Sequence, residues 1–145
     1  MKIKIYDPYT RKETEVEKIT ISEEEWRQKL TPEQFEVLRT KGTEHPFSKT
    51  CPVPPNNEGI YGCAGCDTAL FYFGAKFESE TGWPSFFEPI SNLNINEVTD
   101  NSHGLKRIEA QCARCDGHLG HVFDDGPPPT HKRYCINAFA LKLLS

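Results

Sequence analysis

The chain has 145 residues and a mass of 16.5 kDa, enough for one domain with a sizeable core but not for two independent ones. Its 21 acidic and 17 basic residues leave a net charge of -4, which gives no basic footprint for nucleic acid. No apolar run reaches the ~20 residues that span a bilayer, and Met1 to Tyr6 leads into Asp7-Pro8 instead of an apolar signal core. A soluble, cytoplasmic protein with no membrane or nucleic-acid partner is therefore expected.

Weak alternation of Ile3 and Ile5, then Val16, Ile19 and Ile21, around Asp7-Pro8 predicts a hairpin or extended appendage over residues 1–21. The main domain is expected over residues 22–145. Ser22 and Glu25 have capping-box spacing before Trp26 and Leu30, and Thr31-Pro32-Glu33-Gln34 repeats that logic before Phe35 and Leu38. Two short helices follow from this, the second stopped by Gly42. An irregular stretch rich in Pro and Asn then runs from Glu44 through Cys51 to Gly59.

From Ile60 onward the helical period disappears. Short β-favouring runs stand at residues 60–61, 69–73, 108–111, 121–123 and 136–144, punctuated by Gly, Pro and Asp, which predicts a mainly antiparallel β fold. The stretch 67–111 is too long for a simple zinc-ribbon loop and must add strands of its own. Pro127-Pro128-Pro129 is expected to stiffen a loop carrying functional residues.

Two C-x-x-C turns, Cys63-Ala-Gly-Cys66 and Cys112-Ala-Arg-Cys115, have the spacing at which a tight turn aims two thiolates at one metal. Together they supply a closed tetrahedral zinc site. A redox C-x-x-C is the competing reading, but no βαβ pattern surrounds either copy. A closed site does no chemistry, which turns attention to Cys135. A buried structural thiol is the plain alternative there. Arg133 and Asn137, two residues to either side, would share its face on a strand, and a guanidinium beside a thiol favours the nucleophilic thiolate.

His118 and His121 are close enough to serve one site. Because four cysteines already complete a tetrahedron, acid or base work suits them better than ligation. Trp83, held between Gly82 and Pro84, could present its ring at a pocket rim that suits a methyl or thioether group, while Phe86 and Phe87 read as core.

With these residues assembled, the chain resembles the R-specific methionine sulfoxide reductases, the MsrB family. The likeness runs from about Thr31 to Leu143 through Gly42-Thr-Glu44, Pro46-Phe47, Gly59-Ile-Tyr61, both C-x-x-C turns, Gly82-Trp-Pro-Ser-Phe86, Gly117-His-Leu-Gly-His-Val-Phe-Asp-Asp-Gly-Pro127 and Arg133-Tyr-Cys-Ile-Asn137. It implies a fold of two antiparallel sheets, residues 22–145 as the catalytic domain, and a structural zinc on Cys63, Cys66, Cys112 and Cys115. It also implies Cys135 as nucleophile, Trp83 and Phe123 against the substrate, and His118, His121, Asp125, Arg133 and Asn137 on the polar side of the pocket.

The implied substrate is methionine R-sulfoxide in oxidised proteins, reduced through a cysteine sulfenic acid, with thioredoxin or another thiol as reductant. Many relatives place a resolving cysteine immediately before Gly-Trp-Pro-Ser-Phe, where this chain has Glu80-Thr81. Cys51 is the thiol then left over, in what reads as a surface loop; it either resolves Cys135 or stands aside while an external thiol acts directly. A zinc-stabilised binding module without catalysis is the runner-up reading, and it leaves Cys135 idle.

Overall fold

The computed structural model describes residues 1–144, so that Ser145, the end of the expected main domain, lies outside the described residues. At the N-terminus β1 (Lys2–Asp7) and β2 (Lys12–Glu17) pair as an antiparallel hairpin, closed where Asp7 accepts from the Arg11 and Tyr9 peptides. Helix α1 (Glu23–Lys29) is capped by the Ser22 side chain, and α2 (Pro32–Thr40) begins with a reciprocal capping box between Thr31 and Gln34. The second helix ends one residue earlier than expected. Lys41, not Gly42, takes the left-handed conformation at φ 62°, and the Gly42 peptide then bonds back to Glu36.

The remainder is β structure. In chain order the strands are β3 (Ile60–Cys63), β4 (Ala69–Tyr72), β5 (Lys76–Phe77), β6 (Ser85–Phe86), β7 (Ile95–Asp100), β8 (Arg107–Cys112), β9 (His118–Phe123), β10 (Arg133–Ile136) and β11 (Leu141–Leu143). They form a six-stranded sheet in the order β5-β6-β10-β9-β8-β7 and a three-stranded sheet in the order β11-β3-β4, with every pairing antiparallel. These are the two sheets expected, beside the small hairpin. The run 136–144 is not one strand: β10 stops at Ile136 and a 3-10 turn over Ala138–Ala140 precedes β11.

Period-2 alternation decides what each face does. On one face Phe86 and Tyr134 point at the three-stranded sheet, where Phe86 stacks on Phe71 at 4.1 Å and meets Tyr61 edge-on at 5.6 Å. Each such ring contributes ~1.5–3 kcal/mol by leaving water, which fixes the register of β6 and β10. Helices α1 and α2 extend this core through Trp26, Phe35, Val37 and Leu38. The opposite face of the six-stranded sheet carries the candidate site.

Candidate active site

The two C-x-x-C turns meet at the ends of strands from different sheets, Cys63 closing β3 and Cys112 closing β8. Cys63 Sγ lies 3.7 Å from Cys115 Sγ, Cys66 Sγ lies 3.5 Å from Cys112 Sγ, and all four sulfurs are within 4.8 Å of one another. A tetrahedron with metal–sulfur bonds of ~2.3 Å has S···S edges of ~3.8 Å, so the cluster is compatible with zinc. Sulfurs this close share protons unevenly, so that the Cys63 and Cys112 thiols are pushed up and those of Cys66 and Cys115 down.

The turns share one construction. In each, the peptide of the first Cys donates to the residue five positions on (Thr68, Gly117), and an Asp four positions on (Asp67, Asp116) takes a left-handed φ of 64° or 61° and donates back to that Cys. The sequence carried this signal as an Asp directly after each C-x-x-C, and it went unread.

Cys135 occupies β10 between Ser85 of β6 and His121 of β9, with Glu109 of β8 opposite His121. Residues paired across a ladder share a face, so one row runs Ser85, Cys135, His121, Glu109. Gly120 allows β9 to lie this close, since a Cβ there would sit 2.0 Å from the Cys135 carbonyl oxygen. Thr43, Trp83, Arg107, His121, Phe123 and Asn137 join Cys135 around a small cleft of about 110 Å³, which none of the four clustered cysteines lines.

Trp83 is set at the rim by Gly82, whose φ of 87° turns the chain, and its Nε1 donates to the Glu44 carbonyl at 3.0 Å. Arg133 lies over the Phe123 ring at 4.4 Å and grips Asp125 through two hydrogen bonds of 2.8 and 3.2 Å. The guanidinium holds Asp125 below the usual carboxylate range. For Cys135 burial dominates and pushes the thiol up, while Arg133 and the Thr81 hydroxyl pull the other way. The expected preference for thiolate is thus only partly met at rest, because desolvation outweighs the cation.

The histidines share a face for a reason that spacing alone did not disclose. An extra residue in β9, Leu119, bulges against Ala110 and Gln111, so residues three apart project together and the two rings lie 5.4 Å centre to centre. His121 Nε2 meets Asp100 at 2.8 Å, and His118 Nδ1 meets Glu109 at 2.7 Å. His118 is buried and is not among the cleft-lining residues; burial drives its pKa down despite Glu109, so it is neutral at neutral pH. The carboxylate beside Nδ1 fixes the tautomer with its proton there. Asp100 is held well below the carboxylate range, chiefly by His121. Sequence reasoning missed both carboxylates, since each finds its histidine only through cross-strand pairing.

Asn137 lies one residue past the end of β10 and lines the same cleft as Cys135. It sits just before the 3-10 turn, buried, donating to the Leu119 carbonyl at 3.0 Å and accepting the Glu44 peptide N–H at 3.1 Å. Cys51 is half-buried and packs against the core beside Tyr61, instead of riding on an open loop. It lines a second cavity of about 430 Å³ with Phe47, Val53, Trp83 and Pro84, so Trp83 borders the cavities of both thiols. Phe86 is core as expected, whereas Phe87 is only half-buried.

These features define a mainly antiparallel β protein with a sealed four-sulfur cluster and a separate cleft built around one thiol. Residues 30–145 match the family described as SelR domain, and the chain belongs to that family. It is 55% identical over 124 residues to the peptide methionine sulfoxide reductase MsrB of Methanosarcina mazei, covering 86% of this chain and 88% of the relative. The protein of the same name from Pseudomonas fluorescens is 52% identical over 129 residues (89% and 98%), and that from Bradyrhizobium diazoefficiens 51% over 136 residues (94% and 97%).

Proposed function

We infer that this protein is an oxidoreductase, a peptide methionine sulfoxide reductase that repairs oxidative damage, acting on the R epimer in oxidised proteins through Cys135. The observation that carries this reading is Cys135 at a cleft bounded by the Trp83 indole, the Phe123 ring, the His121 imidazole and the Arg107 guanidinium, with Arg133 laid over the Phe123 ring. Sulfur and methyl groups favour contact with aromatic faces, so Trp83 and Phe123 suit the methyl and thioether end of the substrate.

The Cys135 sulfur, as thiolate, attacks the sulfoxide sulfur while a proton reaches the sulfoxide oxygen. The attack joins the two sulfurs; the protonated oxygen then passes to the Cys135 sulfur as the substrate S–O bond and the new S–S bond break, the S–S electron pair leaving with methionine as the thioether and Cys135 keeping the hydroxyl as sulfenic acid, a two-electron exchange. His121, beside Cys135 in the ladder and oriented by Asp100, is the proton donor; Arg133, tied to Asp125, favours the thiolate. Asn137 braces the turn after Cys135, and His118 backs His121. Zinc, when bound, cross-links the two turns and supplies no step of the reduction.

Recycling needs a second thiol. Thr81 stands where many relatives have theirs, and Cys51 is the resolver in this chain: its sulfur displaces water from the sulfenic acid to form a Cys51–Cys135 disulfide, which thioredoxin or a similar dithiol reduces. The shared wall at Trp83 supports this, and loop movement brings the sulfurs together. Six free thiols fit a reducing cytoplasm, and no described helix is long and apolar enough to cross a membrane. Residues 1–21 form an extension to the catalytic domain over 22–145, a division that suits a family match starting at residue 30.

The test is stoichiometric reduction of the R epimer of a blocked methionine sulfoxide by freshly reduced protein, followed by disulfide mapping. No methionine formed, or equal turnover by Cys135→Ser, sinks the reading. An oxidised product without a Cys51–Cys135 bond removes only the resolver.

A further inference from the structure

Glu44 has no part in the chemistry above, yet it touches two residues of the cleft and the turn that follows β10. Its peptide N–H donates to Asn137 Oδ1 at 3.1 Å, and its carbonyl accepts the Trp83 indole N–H at 3.0 Å. Its carboxylate Oε1 accepts the Phe139 peptide N–H at 2.9 Å, in the 3-10 turn that follows β10, while Oε2 is buried with no partner. The neighbouring Thr43 lines the cleft.

An acid that is only 8% exposed, with one oxygen unpaired, is a costly way to fill space. Burial pushes its pKa up, and the Phe139 and Ala138 peptides with Lys49 offset this only in part. A hydrophobic residue would avoid that cost but could not accept from the turn. The carboxylate anchors the otherwise irregular stretch 42–50 to the segment that carries Cys135 and Asn137. Once residue 44 is fixed, its two peptide groups hold the indole ring and the Asn137 amide at set positions.

We propose that Glu44 is a positioning residue that sets the Trp83 ring and the Asn137 amide against Cys135 through hydrogen bonds from its side chain and its own peptide groups. The proposal rests on the reading of Trp83 and Cys135 as the substrate site. Glu44 meets no substrate atom; it acts through the ring that does.

Steady-state kinetics on the R epimer of a blocked methionine sulfoxide, with dithiothreitol as reductant, test it in Glu44→Ala, Glu44→Gln, Trp83→Phe and the Glu44→Ala/Trp83→Phe double variant. Glu44→Ala is expected to raise KM by about tenfold with kcat changed less than about threefold, because a mis-set wall weakens binding more than chemistry. Glu44→Gln, which keeps a carbonyl for Phe139, should restore both constants to within about threefold. Trp83→Phe removes the N–H, and adding Glu44→Ala to it should cost less than about twofold more, since the two act as one unit.

Unchanged kinetics in Glu44→Ala with only a lower melting temperature would overturn the proposal, as would independent multiplication of the two effects or a Gln variant as impaired as Ala. If Glu44→Ala does not fold, Glu44→Asp, one methylene too short to reach Phe139, takes its place under the same expectations. Wild type and Cys135→Ser run alongside: equal activity in those two removes the site itself, whereas an inactive Cys135→Ser with normal Glu44 variants removes only the role of Glu44.

Discussion

Cys112 and Cys135 belong to the same six-stranded sheet, but their surroundings treat sulfur in opposite ways. Cys112 is sealed inside and faces three other sulfurs, each held by a backbone turn of the same design. Cys135 is half-buried and faces a guanidinium, a hydroxyl and a cleft. The first setting calls for a cation and excludes reactants; the second leaves one sulfur short of stabilisation and open to a visitor. Neighbours and access, not the residue type, separate a structural cysteine from a chemical one.

The largest effect should come from breaking the sealed side. Cys112→Ser is expected to lose bound zinc and to melt ~10 °C or more lower, since metal binding here is folding free energy. Metal analysis together with a thermal melt checks both halves, and stoichiometric zinc at an unchanged midpoint would erase the contrast. Cys135→Ser is expected to keep zinc and its melting point while turnover falls to background, because a hydroxyl is a far weaker nucleophile.

Smaller changes sharpen the open side. His121→Ala should slow the single-turnover rate by ~10²–10⁴, the usual range for a lost proton donor, with the fold intact by circular dichroism. Arg133→Ala should slow it by roughly tenfold, because the guanidinium that pulls the Cys135 thiol towards thiolate is gone.

The mildest test uses pH. Because burial leaves Cys135 above the ordinary thiol value near 9.0, its thiolate fraction at neutral pH is small and grows as pH rises toward that value. Alkylation of the Cys135 peptide by iodoacetamide, followed by mass spectrometry, should therefore speed up by about tenfold per pH unit between pH 7 and 9. A rate already flat at pH 7 would mean that Arg133 outweighs desolvation.

Local chemistry was legible and cross-strand chemistry was not. Both C-x-x-C turns, both helix caps and the aromatic strands could be read from the chain because each is fixed by residues a few positions apart. Strand β7 was missed since Ile95-Asn-Glu-Val-Thr-Asp100 is largely polar and exposed, and its reason to exist is its ladder with β8. Asp100 and Glu109 went unseen with it: which histidine each meets depends on register and on a bulge at Leu119. Asn137 was read as part of the Cys135 strand because nothing in Ile136-Asn137-Ala138 announces that the strand ends at Ile136, although Asn137 still lines the cleft with Cys135.

The N-terminal hairpin seats itself on the second knuckle: Lys18 Nζ donates to the Ala113 carbonyl, 95 residues further on, and meets Asp116 at 2.7 Å, while Arg114 donates to the Glu17 carbonyl. At ~5–20 residues per second, a ribosome takes about 5–20 s to deliver that partner after Lys18 is made. Throughout that interval Glu17 and Lys18 lack the turn that receives them, so this segment is synthesised early and docked late, a natural point of exposure to proteases and chaperones in the nascent chain.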